Sequence, residues 1–486
     1  MTSFSHPAPA VWSEAHFSGA ELPDHRLRRR VVKMAEEMAR HPGWSLPRLF
    51  PLPKDLKAAY RLLSHESATP EALQSGHRDQ TRAAMMRAPV VLLPEDTTTL
   101  SWSGNRAVKG LGPVGRGEEG LQGFLLHTTL AVAWPREDAA AAAAGSRRPP
   151  VECLGIAHQI SHVRTGRPPD EAKDDKRARL ERERESQFWE RTSAAIGPAP
   201  EGVIWRRVSD RESDIYEYLL SCDEMGHGFV VRACQDRCLR EPAEDHLFSA
   251  ARSAPELGRL ELELRGRDGM AGRTARLVVQ SRELTLAPPG AWKAKRRYRP
   301  LPCVVVRVFE PEPPKEAEAL EWVLLTDAPT RGDERAWAST LDGAIEATRQ
   351  YATRWLVEDF HKAIKSGGMK AEQLQLESAD ALRAAVAMMS VTALRLVELR
   401  ERVRRLPDAA AEHSSLSAVE LTVLRAATER AILTVREVAL AIGHLGGHLN
   451  RKSDGMPGVL TLWRGMEQLT ALATGFQLAN RLYGYG

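Results

Sequence analysis

Hydrophobic and polar residues follow two different spacings along the chain, which divide it into a helical region, a region rich in strands and a second helical region. Residues 20–88 repeat apolar positions at helical spacing, which predicts amphipathic helices. Residues 229–325 carry mostly short apolar runs separated by Gly and Pro, which predicts strands joined by turns, and the preceding region mixes such runs with helical stretches. Helical spacing returns from Asp342 to the end, with breaks near Pro407 and residues 451–458. The sequence therefore predicts a helical start, a mixed α/β core with a β-rich block, and an all-helical tail.

Two helices of different character are predicted before the tail. The first begins after Asp24, whose side chain can cap it, and ends at Pro42-Gly43. Its apolar positions fall on one face, which we expect to be buried: Val31, Met34, Ala35 and Met38. The second covers residues 170–195, where Arg and Glu alternate, and this pattern is typical of an exposed helix with ion pairs one turn apart.

Two predicted strands lead directly into acidic residues. The apolar run at 88–93 precedes Asp96, and the run at 202–208 precedes Asp210. Because the loops at strand ends gather functional groups, we expect both carboxylates at the end of a strand. Each also has an ordinary explanation: Asp96 can bond within a turn, and Asp210 can cap the helix that follows it.

The segment Tyr351–Lys365 is predicted to be a helix with an unusual polar face. At about 100° per residue, one narrow face receives a carboxylate, three cations and two large rings: Tyr351, Arg354, Trp355, Glu358, Lys362 and Lys365. The opposite face is apolar and is expected to pack on a core: Ala352, Leu356, Val357, Phe360, Ala363 and Ile364. The polar face suits a metal-holding carboxylate flanked by phosphate-gripping cations. It also suits an exposed helix whose residues form ion pairs one turn apart.

Composition narrows the class of protein. Hydrophobic residues make up 43% and charged residues 27%, as in globular proteins, and 486 residues are enough for two to four domains. The absence of a long apolar run and of a secretion signal predicts a protein without a membrane span. Five cysteines without a CxxC pair predict neither a zinc site nor a disulfide framework and fit a reducing cytoplasm. The net charge is only +4, but basic clusters at 25–30 and 293–299 suit a phosphate backbone, or equally solvated loops.

The spacing of four residues in this helix follows a family signature: Tyr, two residues, Arg, three residues, Glu, six residues, Lys. Tyr351, Arg354, Glu358 and Lys365 meet it without gaps. Together with EDTTTLSW around Asp96 and SDRESDIYEYL around Asp210, these motifs resemble the DDE cut-and-paste transposases of the insertion-sequence-four family, close to the Tn-five transposase. The resemblance extends over nearly the whole chain.

This resemblance implies a fold class and three domains. It predicts an α/β fold with a ribonuclease-H-like catalytic core at 89–369, which a β-rich insertion interrupts at about 233–325. An N-terminal helical DNA-binding domain is expected at 1–88, and a C-terminal helical dimerisation domain at 370–486.

The resemblance also implies a mechanism. Asp96, Asp210 and Glu358 are expected to hold Mg²⁺, with Mn²⁺ as a substitute, because hard divalent cations prefer carboxylate oxygens. Two such ions support phosphoryl transfer that nicks the transposon ends, excises the element through a hairpin and joins its 3′ ends to target DNA.

Residues that contact DNA are carried over in the same way. On the polar helix, Tyr351, Arg354, Trp355, Lys362 and Lys365 are expected to contact the DNA beside the cleaved bond. Trp322 resembles the aromatic residue that stacks on a flipped base, although an ordinary core position in a strand also explains it. Further contacts are expected from these arginines: Arg232, Arg30, Arg40 and Arg61.

The expected partners are double-stranded DNA, as end repeats and as target, and a second copy of the chain in a homodimer. The expected location is the bacterial cytoplasm, in association with the nucleoid. A non-catalytic DNA-binding regulator derived from a transposase is the alternative function. A carbohydrate hydrolase with paired acids is a more distant alternative, since it needs no basic helix face.

Overall fold

The computed structural model describes residues 9–102, 108–115, 120–135, 150–165, 184–241, 246–264, 272–289, 298–315, 318–327, 338–414, 416–451 and 454–484. The alanine-rich segment and most of the basic cluster at 293–299 lie outside these residues. So does the first part of the predicted Arg/Glu helix. The end of that helix is present as α6, which is given below.

The N-terminal region is helical, as its apolar spacing predicts. Its helices are α1 (Pro9–Phe17), α2 (His25–Arg40), α3 (Leu46–Leu49), α4 (Pro53–Leu63) and α5 (Pro70–Met85). The side chain of Asp24 accepts a hydrogen bond from the Arg26 amide at the start of α2, so the predicted cap is confirmed. The predicted apolar face of α2 is buried: Val31, Met34, Ala35 and Met38.

The described strands form one mixed sheet. They are β1 (Val90–Ser101), β2 (Gly112–Pro113), β3 (Gln122–Ala133), β4 (Glu152–His162), β5 (Ile204–Ser209), β6 (Gly228–Arg232), β7 (Glu256–Leu264), β8 (Arg273–Leu286), β9 (Leu301–Phe309) and β10 (Glu321–Asp327). The order across the sheet is β2-β3-β1-β5-β6-β10-β9-β8-β7, and β4 also pairs with β3. Strands β1, β5 and β6 are parallel, and the other pairings are antiparallel.

Helices cover this sheet and follow its strands. They are α6 (Gln187–Ile196), α7 (Tyr216–Glu224), α8 (Leu247–Arg252), α9 (Leu341–Tyr351) and α10 (Trp355–Lys362). The protein is therefore a mixed α/β protein with a large sheet, as the sequence predicts. Its parallel strands lie at the centre, where both faces are buried.

The β-rich block departs from the prediction in two ways. The sequence pattern suggests separate strands at 275–279 and 284–287, whereas β8 is a single strand of 14 residues because its neighbour β9 pairs with it from Val278 to Leu286. The block is also not a separate sheet. Strand β10 pairs with β6 of the core, so the block extends the central sheet sideways.

The tail is helical with the predicted breaks. Its helices are α11 (Ala379–Arg405), α12 (Ala418–Thr428), α13 (Val435–Leu445) and α14 (Val459–Tyr483). Helix α11 is apolar around most of its circumference, and most of its residues are buried. One continuous core joins the N-terminal helices, the sheet and this tail, for example through Met34, Leu92, Val386 and Trp463. Among the described helices, none combines the length and hydropathy that a bilayer-spanning segment requires.

Candidate active site and nucleic-acid interface

Asp96 lies within strand β1 and not at its end, so the position predicted from the sequence is wrong. The strand continues to Ser101 because β3 pairs with it along this whole stretch, with Asp96 opposite Thr128. The parallel pairing of β1 with β5, in contrast, ends at Pro94 and Val208. Asp96 therefore lies two residues beyond the end of the parallel ladder, with its Oδ1 accepting the Thr97 amide at 2.8 Å.

Asp210 directly follows β5, as predicted. Its Oδ1 accepts the Glu212 amide at 2.9 Å and caps a short 3₁₀ turn, Arg211–Ser213. Its other oxygen, Oδ2, lies 3.8 Å from the guanidinium Nη1 of Arg354. The capping role and a role in a charged site are therefore compatible, because each uses a different oxygen.

The predicted helix Tyr351–Lys365 is present but interrupted. Tyr351 ends α9, a 3₁₀ turn spans Ala352–Arg354, α10 follows, and a wider π turn spans Ala363–Gly367. A steady 100° per residue misses these changes of pitch, and π turns are frequent at functional sites. The predicted apolar face is nevertheless buried, since its members are at most 7% exposed: Ala352, Leu356, Val357, Phe360, Ala363 and Ile364.

Arg354 brings the acidic residues of the two motifs together. Its Nη1 lies 2.6 Å from Oε1 of Glu358, one turn later, and also faces Asp210. The guanidinium lies over the rings of Trp355 and Tyr351, at 5.0 and 5.9 Å from their centroids. The predicted ion pair one turn apart is thus confirmed, but Arg354 also reaches an acid that is far away in sequence.

Asp96 belongs to the same charged cluster. Burial and then the negative charge of Asp210 raise the pKa of Asp96 to about 7, and Glu358 adds to the effect while Arg354 opposes it. A raised pKa of this origin means that several carboxylates share one region of negative potential. Asp96 therefore interacts electrostatically with Asp210, Glu358 and Arg354, and Arg354 contacts Glu358 and faces Asp210.

The three carboxylates of this cluster are ligands that suit a hard divalent cation. The guanidinium of Arg354 would compete with such a cation for their oxygens. In the part of the chain that the structure describes, no three His, Cys, Asp or Glu side chains are already arranged to hold a metal ion. The Nη1 of Arg354 lies 3.8 Å from Asp210 and 2.6 Å from Glu358, so it occupies space beside both carboxylates. A metal would have to displace this guanidinium.

Two of the predicted DNA contacts lie side by side and are buried. Trp322 on β10 is 8% exposed, Tyr351 is 3% exposed, and their rings meet edge to face at 5.0 Å. Arg232, at the end of β6, donates to the Glu321 carbonyl at 3.1 Å. These three residues form a connected group next to Arg354.

The two lysines of the polar face differ in their surroundings. Lys362 is exposed, whereas Lys365 is half-buried with its Nζ 4.0 Å from Glu372. Glu372 also accepts the Ser101 amide at 2.9 Å, so it joins the end of β1 to the segment after α10. Sequence reasoning missed Glu372, and only its position close behind the signature lysine could have pointed to it.

The predicted N-terminal DNA contacts lie on α2 and α4. Arg30 pairs with Asp55 at 3.1 Å, Arg40 pairs with Glu36 within α2, and Arg61 is exposed. A surface groove of about 390 Å³ runs along α4 and is lined by Pro53, Leu56, Lys57, Tyr60, Arg61 and Ser64. This groove is mostly apolar, and Lys57 and Arg61 place two cations along it.

A buried ion pair behind Asp96 was also missed. Glu95 and Arg207 are each 0% exposed, and Arg207 donates from its Nε to Glu95 at 3.0 Å. Burial would raise the pKa of Glu95, but the charge of Arg207 and the contact with His127 hold it at about 2. The sequence does carry a signal for this pair. Glu95 and Arg207 lie in the segments Leu92–Asp96 and Trp205–Val208, next to apolar residues of predicted strands, where a core strand normally has no charged residue.

Comparison with known families identifies the N-terminal region. Residues 9–68 match the family model for transposase DNA-binding domains. The matched residues contain α1 to α4 and therefore the groove along α4 and all three predicted N-terminal arginines. The match supports a transposase and supports DNA as its partner.

Proposed function

We propose that this chain is a DNA transposase of the insertion-sequence-four family, which binds transposon end repeats, excises the element and joins its 3′ ends to target DNA. The observation that carries the proposal is the convergence of Asp96, Asp210 and Glu358 around Arg354. The DNA-binding match at the N-terminus supports it independently, because it rests on none of these residues.

The proposed catalytic core is ribonuclease-H-like. Its strands are β4, β3, β1, β5 and β6 in spatial order, with the first three antiparallel and the last three parallel. Asp96 on the central strand and Asp210 after its parallel neighbour lie at one edge of this arrangement. Strand β10 and the rest of the β-rich block would extend this core beyond β6.

We assign Asp96, Asp210 and Glu358 as ligands for Mg²⁺, with Mn²⁺ as a substitute. When bound, two such ions activate the attacking oxygen and stabilise the leaving oxygen of a phosphodiester. Asp210 offers Oδ2, which is not used in its capping contact, and Glu358 offers the oxygen that now faces Arg354. Each acid therefore has an oxygen that can turn to a cation without breaking the local fold.

The remaining residues of the site would hold DNA. Once released from the carboxylates, Arg354 can bind a phosphate with its planar guanidinium, and Lys362 and Lys365 extend the same basic edge. Trp355, which is half-buried beside Arg354, and Trp322 are proposed to stack on bases at a hairpin intermediate. Because Trp322 packs on Tyr351, its face becomes available only when these two rings separate.

Sequence recognition is assigned to the N-terminal helices. Helix α4 presents Lys57, Tyr60 and Arg61 along one exposed groove, and Arg61 is proposed to bind DNA directly. Arg30 and Arg40 are proposed to contact phosphates after exchanging their present carboxylate partners. A salt-dependent affinity is expected because phosphate contacts release counterions.

A homodimer is proposed through the tail. An apolar groove of about 330 Å³ lies between α12 and α14, and Leu472 and Phe476 on its wall are 46% and 42% exposed. Large exposed apolar side chains on one face are typical of an interface. Replacing both by Glu should shift the full-length chain from dimer to monomer in analytical ultracentrifugation, in the presence of end DNA.

The test of the catalytic proposal is cleavage of DNA fragments that carry the inverted repeats flanking the coding sequence. The wild-type chain should nick them in Mg²⁺ or Mn²⁺, and Glu358→Gln should abolish nicking while leaving the gel shift intact. The matched control is Glu377→Gln, which makes the same change at an exposed position. If the wild-type chain binds these fragments but does not nick them, the non-catalytic regulator becomes the better description.

A further inference from the structure

The backbone pairing that holds the two aspartate-bearing strands together stops short of both aspartates. In the parallel ladder of β1 and β5, the last paired residues are Pro94 and Val208. Proline has no N–H group, so the ladder loses a donor at this point. Asp96 and Asp210 each lie two residues beyond this end. Backbone hydrogen bonds between β1 and β5 therefore do not fix the separation of the two carboxylates.

A side-chain contact takes over where the ladder ends. Glu95 precedes Asp96, Arg207 lies three residues before Asp210, and Arg207 contacts both oxygens of Glu95 through its Nε and Nη2. A guanidinium that binds a carboxylate with two nitrogens fixes both distance and orientation. Because successive residues of a strand point to opposite faces, this pair lies behind the sheet while Asp96 lies in front of it.

Two more elements hold the same carboxylate. Thr129 on β3 donates its hydroxyl to Glu95 at 3.0 Å, and Tyr218 on α7 donates its phenolic hydroxyl. The Glu95 carboxylate is thus bound from β3, β5 and α7 at once. These three neighbours fix the position and orientation of the carboxylate. The stability of the fold does not by itself require such a set of contacts. Buried ion pairs can often be replaced by apolar residues of similar size without loss of stability.

We infer that Glu95 and Arg207 are positioning residues, which set the distance between Asp96 and Asp210 and thereby the geometry of the cation site. The inference rests on the proposed function, since it takes both aspartates to be metal ligands. The hydrogen bond from Tyr218 also restrains the rotation of the Glu95 carboxylate. None of the three touches the cation site itself, because they lie on the other face of the sheet.

The experiment replaces all three side chains by apolar ones in the full-length chain: Glu95→Leu, Arg207→Met and Tyr218→Phe together. No charged group then remains buried without its partner, so the variant is expected to fold, as judged by circular dichroism and thermal unfolding. Titration with MnCl₂ alone, followed by the electron paramagnetic resonance of free Mn²⁺, should show affinity about 10- to 100-fold weaker than wild type, the usual effect of losing residues that orient metal ligands.

The matched control removes a different ion pair. Arg273, at the start of β8, and Glu310, which directly follows β9, form a two-point contact, and these strands lie five and four positions from β1 in the sheet. Arg273→Met with Glu310→Leu should leave Mn²⁺ affinity unchanged. A folded triple variant with wild-type affinity for Mn²⁺ would overturn the inference, and so would an equal loss of affinity in this control.

Arg207→Lys provides the same test if the triple variant does not fold. Lysine keeps the positive charge but cannot contact both carboxylate oxygens in the fixed geometry of a guanidinium. Its Mn²⁺ affinity should fall about tenfold, and an unchanged affinity in this folded variant would overturn the inference. Failure of the proposed function looks different, because the wild-type chain would then neither bind Mn²⁺ in a way that Glu358→Gln abolishes nor nick DNA fragments that carry the flanking inverted repeats.

Discussion

Strand β1 carries a charged cluster on each face, and the two clusters are built differently. Behind the strand, Glu95 and Arg207 are 0% exposed and balance each other's charge. In front of it, Asp96, Asp210 and Glu358 all interact with Arg354, and all four residues are partly exposed. Adjacent residues of one strand thus serve a closed ion pair and an open acidic cluster.

The difference between the clusters lies in their charge balance. In a closed ion pair the two charges cancel, so neither group is available to bind a ligand. Removing one partner leaves an unbalanced charge in the core. Burial and then the negative charge of Asp210 raise the pKa of Asp96, and neighbouring carboxylates of this kind favour an added cation. We therefore interpret buried charged residues as structural where their charges cancel, as in Glu95 and Arg207, and not where a net charge remains.

The largest expected effect is the loss of half of the closed pair. Arg207→Met leaves the Glu95 carboxylate buried without its counter-charge and should lower the free energy of unfolding by about 3–5 kcal/mol. Urea denaturation of the full-length chain at pH 7.5 measures this. A loss below about 1 kcal/mol, on the scale of an exposed pair, would mean that the pair is not closed and would remove the contrast between the two faces.

A third buried group sharpens the comparison because it has no opposite charge to balance it. His77 is 1% exposed and accepts the Ile156 amide on Nε2 at 2.9 Å, so it is neutral. Burial, followed by the charges of His16 and Arg78, holds the pKa of His77 well below its usual range. Below pH 6.5 the unfolded chain gains a proton here that the folded chain does not.

The free energy of unfolding should therefore fall as the pH drops from 7 to 5, with His77 contributing up to about 1.4 kcal/mol per pH unit. His77→Gln should show a shallower pH dependence in urea denaturation. His413→Gln, the same change on an exposed side chain, is the control. Equal slopes for wild type and His77→Gln would contradict the assignment of a buried neutral histidine.

The open cluster should respond to a cation. A ligand that binds only the folded chain stabilises it by about 1.4 kcal/mol at a concentration tenfold above its Kd. MgCl₂ should therefore raise the midpoint of thermal unfolding of the wild-type chain, and the rise should vanish in Asp210→Asn. KCl at the same ionic strength is the control. An equal rise in the variant would place the Mg²⁺ effect elsewhere on the protein.

The smallest expected effect is on the stability of the open cluster itself. Arg354→Met removes the guanidinium that contacts Glu358 and faces Asp210, but both carboxylates reach water, so the free energy of unfolding should fall by about 1 kcal/mol or less. The same urea denaturation compares it directly with Arg207→Met. If Arg354→Met costs as much as Arg207→Met, the two clusters do not differ in the way proposed.

The sequence by itself determined those features that depend on local spacing. The buried face of α2, the apolar face around Phe360, the strand before Asp210 and the breaks of the helical tail follow from periodicity, turn residues and caps. Three acids of the candidate site were also within reach, because their motifs are contiguous. Residues 9–68 match transposase DNA-binding domains, which agrees with the predicted DNA partner.

Only the tertiary structure decided which residues meet across the sheet. Asp96 lies inside a strand because β3 pairs past it, and β10 joins β6, so the β-rich block continues the core sheet. Arg354 turns towards Asp210, and Glu95 finds Arg207, although each partner is more than a hundred residues away in sequence. Such pairings depend on the order of strands in the sheet and on desolvation in the folded core. The local spacing of residues in the sequence predicts neither of these.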